Sequence, residues 1–250
     1  MKIAIVYSEE RLRVNRFFAE KLSFYLGADV VDLSVSDDYD CYVFRTEDAE
    51  LRARLEERGK RVVNNALTGV IANDKHLSYE LAAELGVPFL PYVLQGEGEI
   101  GYPCVVKSRF GHGGKQVFWA DDKREAERLL KGEGYLLQKP SENRGEDIRM
   151  YCLGGDVLAA MRRKNENDFR SNFTLGGSCE RIAPPAELVG LCRRFYEALR
   201  FDFVGIDFLV EREGYLFNEI EDVVGTRMLY SAGLDAAKRF ADYLKSEKCE

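Results

Sequence analysis

The chain has 250 residues, 46% of them apolar and 32% charged, a soluble globular composition long enough for one to three compact units. A net charge of −7 disfavours nucleic acid as a general partner, because holding a phosphate backbone depends on basic patches. No apolar run approaches the ~20 residues that cross a bilayer, and no cleavage signal follows the strand-like residues 1–7, so the expectation is a cytoplasmic protein without a membrane partner. Six cysteines lie scattered with no Cys-x-x-Cys pair and two histidines lie apart from them, which argues against zinc and for reduced packing cysteines.

In chain order, residues 3–7 read as a buried strand. Residues 11–26 read as a helix with Val14, Phe18, Leu22 and Tyr25 on one face and Gly27 as its stop. Short strands at 29–33, 41–44 and 61–63, with a charged helix at 47–58, complete a small α/β unit ending near residue 70. The first strand runs into Tyr7-Ser8-Glu9-Glu10 without the glycines of a dinucleotide fingerprint, which disfavours NAD. Asn73 or Asp74 can cap a helix carrying Leu77, Leu81 and Leu85 and closed by Gly86 and Pro88. Lys75 then sits in the first turn, at the positive end of the helix dipole, where it needs either solvent or an anion.

Residues 102–119 read as strand, glycine-rich loop, strand. Lys107 interrupts the first strand, and a charge there is rarely tolerated without a partner. The loop Gly111-His112-Gly113-Gly114-Lys115 frees backbone amides to approach a phosphate, although it lacks the Gly-Lys-Ser/Thr ending of a Walker A loop, and by itself such a hairpin tip is more often a turn than a nucleotide lid. A short helix at 122–130 and a buried strand at 135–138 follow. Residues 146–153 and 156–161 then form a hairpin over Gly154-Gly155. Arg162, Arg163, Lys164, Arg170 and Asn172 lie on a polar stretch, where arginines are either solvated or bind carboxylate or phosphate through their planar forks. Leu188, Cys192, Phe195 and Leu199 form the core stripe of a helix at 185–200, and a last helix spans 234–244.

The densest signal lies between Val204 and Gly225. Glu219 and Glu221 share a face of one strand, and a hairpin centred near Glu213-Gly214 sets Asp207 opposite them. Three carboxylates on rigid strands suit a hard cation such as Mg²⁺. The same acids also fit the solvated face of a hairpin. Against that, no Lys or Arg lies opposite the acids to neutralise them until Arg227, and unpaired acids held together call for a cation or raised pKa values.

The ordered set of Lys75, Lys107 before a glycine loop, Glu146-Asp147-Ile148-Arg149, Asp168-Phe169-Arg170-Ser171-Asn172, and Asp207 with Glu219-Ile220-Glu221 resembles the ATP-grasp superfamily, closest to its RimK-like branch of glutamate ligases. The resemblance covers about residues 61–245. It implies an ATP-grasp fold, mixed α/β and α+β, with a small N-terminal α/β domain (1–70), a lid subdomain (71–137) and a C-terminal subdomain carrying a metal site (138–250). The implied activity is carboxylate–amine ligation through an acyl phosphate, with ATP and Mg²⁺, or Mn²⁺ in its place, joining an amino acid such as glutamate to a small molecule, peptide or protein. By the same resemblance Lys75 and Lys107 contact phosphate and Gly111, Gly113, Gly114 and Lys115 form the flap. Gln138, Lys139 and Ser141 lie on the link that meets adenine, Arg149, Arg170 and Asn172 face the acyl-phosphate side, and Asp207, Glu219 and Glu221 hold the metal.

The chain departs from the pattern at Glu221, where the family usually has Asn, and at Val223-Val224, where it usually has Ser-Pro. Two other readings keep the nucleotide site: a phosphotransferase acting on a hydroxyl, and a nucleotide-binding protein without catalysis. Oligomeric state stays open.

Overall fold

The computed structural model describes residues 1–111, 116–171 and 176–246. Strands β1 (Ile3–Val6), β2 (Asp29–Val31), β3 (Cys41–Phe44) and β4 (Arg61–Val63) make a parallel sheet in the order β2-β1-β3-β4. The central strands β1 and β3 are buried on both faces, which is why their sequences, IAIV and CYVF, are unbroken apolar runs. Helix α1 (Glu9–Leu26) packs Phe18 and Leu22 onto Ile3, Ile5 and Val43, and α2 (Ala49–Glu57) packs Leu51 and Leu55 onto Ala4, Val6 and Phe44. The expected α1 face is only partly right: Val14 is 61% exposed and lies next to a break in the helix at Asn15, and the helix begins two residues earlier than expected, capped by Ser8.

Helix α3 (Ala66–Ala72), which the sequence reading did not separate out, is capped by Asn65 and leads to α4 (Lys75–Glu84). The Asp74 side chain caps α4 by accepting from the His76 amide at 2.9 Å. Next come β5 (Tyr92–Leu94), β6 (Cys104–Ser108), β7 (Val117–Ala120), α5 (Lys123–Leu129) and β8 (Tyr135–Gln138), forming an antiparallel sheet ordered β5-β8-β6-β7. A larger antiparallel sheet follows, built from β9 (Glu146–Leu153), β10 (Asp156–Lys164), β11 (Ser178–Ile182), β12 (Phe203–Glu211) and β13 (Gly214–Glu221) in the order β11-β10-β9-β12-β13. Helix α6 (Ala186–Leu199) covers one face, while α7 (Arg227–Ser231) and α8 (Ala236–Ser246) lie beyond β13.

Alternation along the large sheet places the site. Ile148, Met150, Val204, Ile206, Phe217 and Ile220 point into the core under α6. The intervening residues, among them Asp147, Arg149 and Asp207, point the other way. On that second face Tyr151 and Phe203 join the core shared with α1 and α8, so the N-terminal sheet covers one end and leaves the other for charged groups. The two units are stitched by buried polar contacts. Asn64 accepts from the amides of Asp202 and Phe203 at 2.7 and 2.8 Å and donates to the carbonyls of Phe203 and Asp222. Arg52 and Asp222 form a buried pair at 2.6 Å. Among the described residues no helix is long and apolar enough to cross a membrane.

Candidate functional site

A cleft opens between the small and large sheets. Its small-sheet wall is set by alternation along β6: Cys104 and Val106 face the core under α5, and Val105 and Lys107 face the cleft. Lys107 is 8% exposed, and its Nζ donates to Asn218 Oδ1 at 2.8 Å. Burial lowers its pKa to about 8; Glu219 opposes that fall and Lys75 adds to it. Lys75 opens α4, donates to the Gly111 carbonyl and lies 3.6 Å from Glu219. Its partner at the helix start is therefore an anion and not bulk solvent.

The opposite wall is a buried network of arginines and acids. Arg149 donates from Nε and Nη2 to the two oxygens of Asp207 and from Nη1 and Nη2 to those of Glu221, all four bonds at 2.7 Å. Arg163 bridges Asp147 and Asp207, its Nη2 lying 2.6 Å from Asp207 Oδ2. Burial pushes the Asp207 carboxyl up, but the two guanidiniums outweigh it and hold the group down at about 2. Glu221 goes the other way, raised by burial against the pull of Arg149. The expectation of unpaired acids is thus overturned. The counter-charge of Asp207 and Glu221 comes from Arg149 on β9, on the far side of β12 and directly opposite Asp207, with Arg163 on β10 adding to Asp207, while Glu219 faces Lys75.

Two irregularities assemble this wall. A regular hairpin from Glu211 and Gly214 would face Asp207 with Asn218. A bulge between Asp207 and Phe208 shifts the register by one, so Asp207 faces Glu219 and Asn218 is left for Lys107. A second shift, between Val157 and Ala159, puts Arg163 instead of Arg162 opposite Asp147. Close packing holds the arrangement: a Cβ on Gly205 would lie 2.6 Å from Val224, and the segment after Glu221 is fastened by Arg45 to the Val224 carbonyl and by the Tyr151 hydroxyl to that of Gly225, each at 2.7 Å.

Of the residues singled out in the sequence, Lys75, Lys107, Gly111, Gln138, Lys139 and Ser141 line the cleft, as do Arg170 and Glu219. Gln138 uses its side chain structurally, accepting from the Tyr79 hydroxyl and donating to the Leu90 carbonyl. Arg170 pairs with Asp168 and does not reach the acids. Arg149, Asp207 and Glu221 lie beside the cleft on the same sheet face. Gly113, Gly114, Lys115 and Asn172 lie outside the described residues. The sequence reading missed Asp147, Asn218 and Phe169, which also line the cleft, and left Arg163 as an unassigned member of a basic cluster.

Asp207, Glu219 and Glu221 each offer a carboxylate oxygen, and these oxygens lie within 4.8 Å of one another. An all-oxygen set at this spacing fits a hard divalent cation such as Mg²⁺. None of the described cysteines joins a metal cluster among the described residues.

The model of the RimK-like ATP-grasp domain matches residues 93–244. The chain is 32% identical over 232 residues to human N-acetylaspartylglutamate synthase A, covering 85% of this chain but only 57% of the human protein. It is 28% identical over 201 residues to a probable alpha-L-glutamate ligase of Histophilus somni, covering 74% of this chain and 67% of that one. The structure superposes with a TM-score of 0.76 on D-alanine–D-alanine ligase from Bacillus anthracis complexed with ATP, at 18% identity, covering 98% and 96% of the two chains. With a family model spanning more than half its length, and a fold shared with an ATP-grasp ligase, the chain belongs to the RimK-like ATP-grasp family.

Proposed function

We propose that the protein is an ATP-dependent carboxylate–amine ligase that joins an acidic amino acid, glutamate foremost, to the carboxyl group of a small molecule or peptide. The observation that carries this reading is the pairing of two buried lysines on one wall of the cleft with a three-carboxylate cluster on the other. Such a pair of walls suits a triphosphate with its cation. The glutamate assignment draws support from two relatives whose names carry it. The reading divides the chain into an N-terminal α/β domain at 1–70, a lid subdomain at 71–137 and a C-terminal subdomain at 138–250.

The reaction balances in two steps. A carboxylate oxygen of the first substrate takes the γ-phosphoryl group and ADP leaves. The amine nitrogen of the second then attacks the acyl carbon, the carbon–oxygen bond to phosphate breaks, and the nitrogen gives up a proton. Lys75 and Lys107 hold the phosphates and offset their charge. Val105, Leu90 and the backbone around Gln138 and Lys139 hold the base, and Arg149 and Arg170 orient the acyl group. Asp207, Glu219 and Glu221 would hold Mg²⁺, which would supply charge neutralisation at the phosphates.

The test is ADP and free-phosphate release with Mg-ATP across amino acids, dipeptides and carboxylates, singly and in pairs, with mass spectrometry of the products. Equimolar ADP and phosphate appearing only with a carboxylate–amine pair, and a product lighter than their sum by one water, is the expected result. ADP without phosphate, or no turnover with any pair containing glutamate, overturns the reading.

A further inference from the structure

Four of the five N–H donors of Arg149 are committed to two of the three acids of the cluster. We propose that Arg149 and a divalent cation compete for this cluster, so that the guanidinium is a resident counter-cation that has to let go of Glu221 before the metal is fully held. The proposal rests on the reading that these acids are the metal's ligands.

The geometry marks Glu221 as the group that moves. Asp207 is fully buried and held by two guanidiniums; its Oδ2 accepts from both Arg149 and Arg163, which fills that oxygen's two lone pairs. Asp207 therefore keeps Arg163 as a partner whatever Arg149 does. Glu221 is only partly buried, and among the described residues its carboxylate is held by Arg149 alone. A cation drawn to a carboxylate that already carries a guanidinium at 2.7 Å meets a like charge at close range. Among the described residues Glu219 is paired with no arginine, and with Lys75 at 3.6 Å, so it is the ligand that receives the metal first.

When Glu221 turns to the metal, the Nη1–Nη2 edge of Arg149 is released. That edge is a planar two-donor fork, the shape that takes a substrate carboxylate in bidentate fashion. Metal binding and carboxylate binding then favour each other, because each draws one partner away from the same internal pair. Glu221 thus acts as the chain's own stand-in for the substrate carboxylate. A neutral amide at this position could not do so with the same strength.

The test is the affinity of Mn²⁺ alone, without nucleotide, followed by the electron paramagnetic resonance of free Mn²⁺ and by calorimetry. The variants are Arg149→Met, Arg149→Lys and Glu219→Gln, each checked for a cooperative unfolding transition. Competition predicts that both Arg149 variants bind Mn²⁺ more tightly than the parent, by about tenfold or more. An arginine that merely orients the acids for the metal gives the opposite sign, and looser or unchanged binding in folded Arg149→Lys overturns the proposal. Arg149→Lys keeps a positive charge beside Asp207 and so remains informative even when Arg149→Met fails to fold. Weaker binding in Glu219→Gln with no gain in Arg149→Lys removes the competition alone. Unchanged binding in Glu219→Gln places the metal elsewhere and removes the metal reading together with the proposal.

Discussion

The two walls of the cleft carry charge in different ways. On the small-sheet side, among the described residues, the Lys107 ammonium has Asn218 as its hydrogen-bond partner, and that of Lys75 has a backbone carbonyl and a distant carboxylate. On the large-sheet side, Arg149 and Arg163 make seven hydrogen bonds to Asp147, Asp207 and Glu221, with Asp207 at the centre. A lysine with a single weak partner can exchange it for a phosphate at small cost, whereas a guanidinium forked onto buried acids is part of the framework. The small-sheet wall is therefore built to change partners, and the large-sheet wall is built to hold its shape, except at Glu221.

The largest effect expected from this contrast is on stability. Arg163→Met leaves Asp147 buried without its partner, and breaking a buried pair in this way costs about 3–5 kcal/mol, to be read from the urea or thermal unfolding midpoint. A loss below about 1 kcal/mol, the size of an exposed pair, would mean that the network is not the rigid element described here. Lys107→Met is expected to behave in the opposite way. Its stability changes little, while its affinity for a non-hydrolysable ATP analogue falls about tenfold, or ~1.4 kcal/mol. The same lysine sharpens the contrast through pH. Its protonated form binds the anion and burial holds its pKa at about 8, so nucleotide affinity in the parent falls as pH rises through that value. Lys107→Met should lack this alkaline limb in a calorimetric pH series.

Much of the fold was legible because each element obeys a local rule. The buried parallel strands are unbroken apolar runs, Asp74 and Asp122 cap the helices they precede, and the stripe of α6 is buried at Leu188, Cys192, Phe195 and Leu199. Strand β11 and helix α7 escaped, since neither carries a clear period of its own. The acids were found, but their register depends on a bulge. Its trace in the sequence is that Phe217 and Ile220, three apart, both point inward, which strict alternation forbids. Arg163 was hidden by the second shift, because an undisturbed hairpin over Gly154-Gly155 would have offered Arg162 to Asp147. The pairing of Arg149 with Asp207 joins strands 58 residues apart, beyond the reach of any local pattern.

The central claim, that the carboxylate cluster holds the cation that accompanies a nucleotide in this cleft, is tested most directly by titrating a non-hydrolysable ATP analogue into the parent and Glu219→Gln, each with and without Mg²⁺. The account predicts that Mg²⁺ tightens binding about tenfold or more in the parent, ~1.4 kcal/mol, and that Glu219→Gln loses most of that gain. An equal Mg²⁺ dependence in the two proteins would contradict it.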